Sequence, residues 1–299
     1  MAMLLHRGRL SLRLANTRLL SAVADYAVAP YRQIVGATAA QREQWAAADK
    51  LLHERMREHV PDALAHNGEE SFDLHLVGVQ SVLRSWSSPE HLTNAALYHS
   101  IYGTEGFQGF ALPLSHREEL AELIGERAER LAWIFCMVDR ASVDESVFRW
   151  VGLSQVERDA IAAGADEPAT FRSRAELGSF PIPTKSHEEW LDFLTLSLAD
   201  WLEQVEGAAT KDVPRPVGDG VLWKKGEAWA YRREAYAAMA SILGGCGVAD
   251  APRMHAEVFA REPEWSRSIH QPLTPPMGVA ALAAAEALAS ARLDFASGP

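Results

Sequence analysis

Apolar residues return every three or four positions along most of this chain, and nowhere do they alternate for long enough to predict a strand of useful length. Residues 40–60 are polar and alanine-rich, with Trp45, Leu51, Leu52, Met56 and Val60 at helical spacing. The stretch 71–86 predicts a helix turning Leu74, Val77, Val82 and Leu83 inward, and Pro89 starts another that runs through Leu92, Ala95 and Ala96 to His99. A glycine-broken loop, Tyr102-Gly-Thr-Glu-Gly-Phe, follows. Ser115 and Glu118 have the spacing of a capping box and predict one long helix to about Arg140. The same signature recurs at Ser154/Glu157 and at Ser186/Glu189, the last opening an apolar helix over 190–205. The fold class this predicts is all-α.

Residues 207–220 hold two prolines and three glycines and are the best linker candidate. Three parts follow: N-terminal helices over 1–65 packed on the core, a core over 66–206, and a C-terminal helical extension over 207–299. The extension is expected to hold helices at 226–243, 254–261 and 278–293. Trp223, Trp229, Tyr231, Tyr236 and Trp265 would pack it on the body. At the other end, Arg7, Arg9, Arg13 and Arg18 precede the first acid, Asp25. That pattern fits either a transit peptide or an amphipathic helix packing through Leu10, Leu12, Leu14, Leu19 and Leu20.

Composition narrows the function classes. Over 299 residues, 48% hydrophobic and 23% charged is an ordinary globular balance, and no apolar run approaches the ~18 residues of a membrane span. A net charge of −11 argues against nucleic acid as a partner, because phosphate backbones are bound by clustered Lys and Arg. Two cysteines, Cys136 and Cys246, without a CxxC pattern exclude a disulfide framework or zinc knuckle and point to a reducing, cytoplasmic setting. The phosphate loop, the dinucleotide fingerprint, the serine elbow and the H-E-x-x-H motif are all missing.

Three polar residues interrupt apolar helical faces: His75 in Phe72-Asp-Leu-His-Leu-Val-Gly-Val79, His99 closing Ala95-Ala-Leu-Tyr-His, and Asp200 in Leu194-Thr-Leu-Ser-Leu-Ala-Asp-Trp-Leu202. A carboxylate in an apolar helix must be neutral, paired or bound to a cation. Two imidazoles and a carboxylate brought from three helices suit a divalent metal, although each is also readable as a hydrogen-bonded core residue.

At these residues the sequence resembles the HD-domain superfamily of metal-dependent phosphohydrolases and related oxygenases. His75 corresponds to its first His, His99 to the His of its His-Asp pair, and Ala199-Asp200 to its final element. The blocks Leu74-His75-Leu-Val-Gly, Leu83-Arg-Ser-Trp86, Ala96-Leu-Tyr-His-Ser-Ile-Tyr-Gly-Thr104, Ile124-Gly-Glu-Arg-Ala-Glu129, Ile134-Phe-Cys136 and Leu198-Ala-Asp200 are similar to an uncharacterised HD-like family, domain of unknown function 6817, over about 66–205. The resemblance implies an HD-domain-like helical bundle with metal ligands His75, His99 and Asp200. Ser100 stands where the paired Asp belongs. That removes the bridging carboxylate of dinuclear members and implies one divalent ion, iron or manganese, or an empty pocket.

Around the trio, Glu105 and Asp139 are candidates to accept a proton. Asp139 could equally be a fourth ligand, or pair with Arg140 or Arg130. His116 is a further catalytic candidate, and Tyr102, Thr104 and Arg117 are candidates to line the substrate site. His116 and Arg117 begin a helix, where an anion would be favoured. Surface roles account for these residues equally, as loop polarity does for His66. Three functions stay open: a single-metal hydrolase acting on a small polar molecule, a non-haem iron oxygenase using the same ligands, and a non-catalytic scaffold. A homodimer formed through the C-terminal aromatics is compatible with each.

Overall fold

The computed structural model describes residues 38–59, 65–66, 70–105, 112–166, 168–210 and 226–269. The N-terminal helix, the 278–293 helix, Trp223 and the later part of the linker candidate fall outside them. The described chain is all-α as expected. Its helices are α1 (Ala39–Ala48), α2 (Lys50–His59), α3 (Phe72–Ser85), α4 (Glu90–Tyr98), α5 (Arg117–Ile124), α6 (Glu126–Met137), α7 (Arg140–Gly152), α8 (Gln155–Ala162), α9 (His187–Thr210), α10 (Glu227–Ala230), α11 (Arg233–Gly245) and α12 (Asp250–Phe259). Two short antiparallel pairs accompany them: β1 (Ala65–His66) with β2 (Glu70–Ser71), and β3 (Thr170–Arg172) with β4 (Pro181–Pro183). Among the described residues no helix is long and apolar enough to cross a membrane.

The core is organised around α9. Leu194, Leu198, Trp201, Leu202 and Val205 are buried along it, and it packs against α3, α4, α6, α11 and α12. Helices α3 and α4 lie along each other through Leu76, Val79, Leu83, Ala95, Ala96 and Tyr98, all fully buried. The alanines permit this close approach. As a result, one face of α3, the end of α4 and the middle of α9 are turned towards one another.

Several boundaries differ from the sequence reading. The long helix expected from Ser115 to Arg140 is broken at Gly125, whose φ of 93° and ψ of 143° suit glycine and strain any other residue. Ser115 sits in a 3-10 turn and does not cap α5; the N-cap is His116, without a side-chain bond. The Ser154/Glu157 box is complete. At Ser186 only half of one forms: its hydroxyl accepts from Glu189 N–H at 3.1 Å, while the Glu189 carboxylate goes to Lys185 N–H and Arg130. Helix α9 runs to Thr210, five residues past the expected end. The helix expected at 226–243 is split into α10 and α11 by Arg232, which takes a left-handed conformation (φ 48°, ψ 27°).

The described part of the C-terminal segment packs on the body. Trp201 of α9 meets the rings of Tyr231 and Tyr236 at 5.0 and 5.6 Å, the second stacked nearly parallel. Arg232 forks onto Asp144 of α7. Tyr231 and Tyr236 therefore make the contacts expected of them, whereas the ring contact of Trp229 is with Phe259 of α12, within the C-terminal segment itself. Trp265 remains about half exposed.

Candidate metal centre

The three side chains singled out by sequence converge. The His75 Nε2 lies 3.1 Å from Asp200 Oδ1 and 3.3 Å from His99 Nε2, and the third edge, His99 Nε2 to Asp200 Oδ1, is 3.3 Å. All three residues are buried, and among the described residues they form the group that could hold a metal ion. A cation ~2.1 Å from each of three such atoms would set neighbours ~3.0 Å apart at right angles and ~3.4 Å apart at tetrahedral angles. The observed edges fall in that interval, so the donor set fits one small divalent ion with the three ligands on one side of it.

The rings are aimed by what their other nitrogens do. His75 Nδ1 donates to Glu203 Oε2 at 2.6 Å, and His99 Nδ1 donates to the Ala96 carbonyl at 2.6 Å. Both acceptors lack a proton to give, so both Nδ1 atoms carry hydrogen and both Nε2 atoms are left to face the centre. Glu203 lies one helical turn after Asp200 on α9, which puts both acids on one face towards α3. Space for it comes from Gly78, one turn after His75, where a Cβ would stand 2.3 Å from Glu203 Oε1. The position of His99 is set by three contacts. It caps the C-terminus of α4, its carbonyl accepts from the Cys136 thiol at 3.1 Å, and its ring sits edge-on to Phe135 at 4.7 Å. Gln204 Nε2 donates to Asp200 Oδ1 at 3.1 Å.

Electrostatics follow from this packing. Burial alone would lower the pKa of His75, but the adjacent Glu203 and Asp200 carboxylates raise it to about 10. Burial also opposes ionisation of Asp200, yet the hydrogen bond from the protonated His75, with the His99 ring beside it, holds it well below the usual carboxylate range. Without a cation, the centre is an imidazolium clamped between two carboxylates.

Beside Asp200 opens a narrow cavity with room for about one water molecule. Phe135, Val138, Val143 and Phe193 form its apolar wall, while Arg140, Ser197, Arg232 and Tyr236 supply its polar groups. Arg232 and Tyr236 come from the segment expected to be a mere appendage, so that segment closes one side of the site.

The other candidates have different placements, and none of them lines this cavity. Asp139 is the N-cap of α7, accepting from Ala141 N–H at 3.0 Å. It pairs with Arg172 rather than with the expected Arg140 or Arg130, the latter being bound to Glu189. The Glu105 carboxylate accepts from the Arg140 backbone N–H at 2.9 Å, and burial raises its pKa against the opposing Arg140 charge. Tyr102 donates to Glu129 at 3.0 Å, and Arg117 binds the same carboxylate at 2.7 and 2.8 Å while lying over Trp133. The Thr104 carbonyl accepts from Arg174 at 3.0 Å. His116 is exposed, 3.0 Å from Glu119. His66 takes part in β1 through its backbone.

Sequence reasoning missed Glu203, Gln204 and Arg232, and gave Tyr236 as a packing contact without placing it at the site. The first had a signal: an acid three residues after Asp200, with a mid-helix glycine three residues after His75. Arg232 had none, because nothing local tells which distant helix an arginine will meet; the aromatic character of Tyr236 predicted a contact with the body but not its neighbour Asp200.

With this geometry in view, the comparisons add a family resemblance. A family model described as a domain of unknown function (DUF6817) matches residues 55–140, which include His75 and His99 but not Asp200. No curated protein and no solved structure matches the chain.

Proposed function

We propose that this chain is a single-metal enzyme of HD-like type, binding one divalent cation through His75, His99 and Asp200 and acting hydrolytically on a small polar molecule. The observation that carries this reading is the triangle of ligand atoms with edges of 3.1–3.3 Å, two of its corners fixed in tautomer by Glu203 and Ala96. A divalent ion held there would polarise a substrate oxygen and lower the pKa of a bound water. The chain's own contributions are separate. His75 and His99 present lone pairs, Glu203 keeps His75 aimed, and Phe135, Val138, Val143 and Phe193 keep bulk water from Asp200. Of the two carboxylates considered as proton acceptors, Glu105 is the better placed. It is half-buried against the residue that reaches into the cavity and has a raised pKa, whereas Asp139 is occupied as a cap and ion pair.

The same two-His-one-carboxylate set is the pattern of mononuclear iron oxygenases. The four apolar residues beside Asp200 favour that second reading. Iron or manganese suits either one. Ser100, in place of a further carboxylate, fits one ion rather than two.

The test is elemental analysis of the purified protein with and without reconstitution, paired with a His99→Ala variant whose fold is checked by circular dichroism. One equivalent of metal in the wild type and none in the variant is the expected result. Unchanged metal content in the variant would remove the ligand assignment, and no metal in the wild type after reconstitution would favour a non-catalytic scaffold. Turnover of phosphate esters supports the hydrolase; oxygen-dependent turnover with iron supports the second reading.

A further inference from the structure

The three corners of the triangle are not held alike. His75 is aimed by Glu203 and His99 by the Ala96 carbonyl, each through a direct hydrogen bond. Asp200 is held on one oxygen. His75 Nε2, His99 Nε2 and Gln204 Nε2 all lie 3.1–3.3 Å from Oδ1, and among the described residues no group bonds to Oδ2. Asp200 is only 3% exposed, and a carboxylate oxygen left without a partner at such depth is costly.

A second buried oxygen is in the same position. Ser197 precedes Asp200 by three residues on α9, which places both on one stripe of the helix with Phe193. Helical hydroxyls often turn back onto a carbonyl of the preceding turn, as Thr195 does onto Leu191 and Thr93 onto Glu90. Ser197, 5% exposed, makes no such bond, and its hydroxyl has no hydrogen-bond partner among the described residues. Ser197 and Asp200 both line the cavity that has room for about one water molecule. The Tyr236 hydroxyl lines it too; it accepts from Arg232 at 2.9 Å and keeps its own proton to donate. Buried waters are held by two to four polar partners, and these three groups meet that need. The apolar wall of Phe135, Val138, Val143 and Phe193 offers a water nothing else to bond.

We propose that this cavity is a site for one ordered water bridging Ser197 Oγ and Asp200 Oδ2, and that Ser197 is a positioning residue acting through that water. The water donates to Oδ2, bonds the Ser197 hydroxyl and accepts from Tyr236. Oδ1 then stays turned to the imidazoles while Oδ2 stays turned to the water, so the carboxylate cannot rotate freely. Asp200 thereby gains what Glu203 gives His75. The water site stands on the cavity and its oxygens alone; its value for holding a cation rests on the metal-centre reading above.

The experiment takes crystals of the full chain, metal-free and loaded with manganese(II), at a resolution that shows ordered water. The wild type, Ser197→Ala and Ser197→Thr are compared, and manganese affinity is measured by calorimetry on the same three proteins. In the wild type, one water within hydrogen-bond distance of Ser197 Oγ and Asp200 Oδ2 is expected, with or without the metal. Ser197→Ala should lose or displace it, turn the Asp200 carboxylate and bind manganese about tenfold more weakly. Ser197→Thr restores the hydroxyl and should recover most of that affinity. A wild-type cavity without this water overturns the proposal, whatever the variants do. A water equally placed in Ser197→Ala, with manganese affinity unchanged, overturns the role of Ser197. Wild-type protein that shows the water but takes up no manganese removes the metal-centre reading and supports the water site; the role of Ser197 is then decided by whether the Asp200 carboxylate turns in Ser197→Ala.

Discussion

His75 sits between two acids, so a proton and any metal ion bound there would compete for the same nitrogen. Its folded pKa of about 10 lies above the ~6.5 of an unfolded histidine. In the metal-free protein the protonated ring therefore lends stability in full below pH ~6.5 and loses it as the pH climbs towards about 10. A cation must expel that proton, and its apparent affinity should rise about tenfold per pH unit across the neutral range. Metal titrations in buffers from pH 6.5 to 8.5 check this; a flat profile would mean that His75 is already neutral there. Glu203→Gln keeps the hydrogen bond but withdraws a charge, and a drop of roughly tenfold or more in metal affinity is expected. At this scale the sequence was informative about which polar side chains converge, because a charge amid apolar neighbours demands a partner. It was less so about what aims them, since Glu203 looks like any acid on a helix.

The helices supply the register. Gly78 would ordinarily weaken α3 by about 0.5–1 kcal/mol relative to alanine, and its place is explained by Glu203 filling the room a side chain would take. Gly78→Ala should therefore help the helix locally while pushing Glu203 off His75. The expected signature is metal affinity reduced by roughly tenfold together with a lower melting temperature of the metal-free protein, where the buried His75–Glu203 pair is also broken, measured by calorimetry on both states. Gly125 is a different case. Nothing lies near its missing side chain, but its φ of 93° cannot be adopted cheaply by alanine. Gly125→Ala should lower stability by about 1–3 kcal/mol with metal affinity retained, read from denaturant unfolding. Here periodicity was only a partial guide. It located helical segments well, because burying an apolar stripe is a local pattern. It ran α5 into α6 and α10 into α11, because one residue with positive φ interrupts a helix without disturbing the spacing of leucines around it.

Across the whole molecule, the site is assembled from segments far apart in the chain, and the link between α7 and the C-terminal helices holds one side of it shut. Arg232 and Asp144 are both largely buried. Removing either alone leaves a stranded charge, so Arg232→Ala should cost about 3–5 kcal/mol, with the double variant Arg232→Ala/Asp144→Ala recovering part of the loss. Urea unfolding of the four proteins in that cycle measures it; additive losses would show that the pair does not couple. This closure was illegible in sequence, since long-range packing decides which residues meet. A practical consequence comes from the stretch shared with the domain of unknown function. Residues 55–140 deliver both imidazoles, while the acid that completes the cluster arrives sixty residues later. A distant homologue recognised through that stretch alone could thus inherit two of the three clustered side chains, and whether it could hold an ion would turn on a helix the shared profile never inspects.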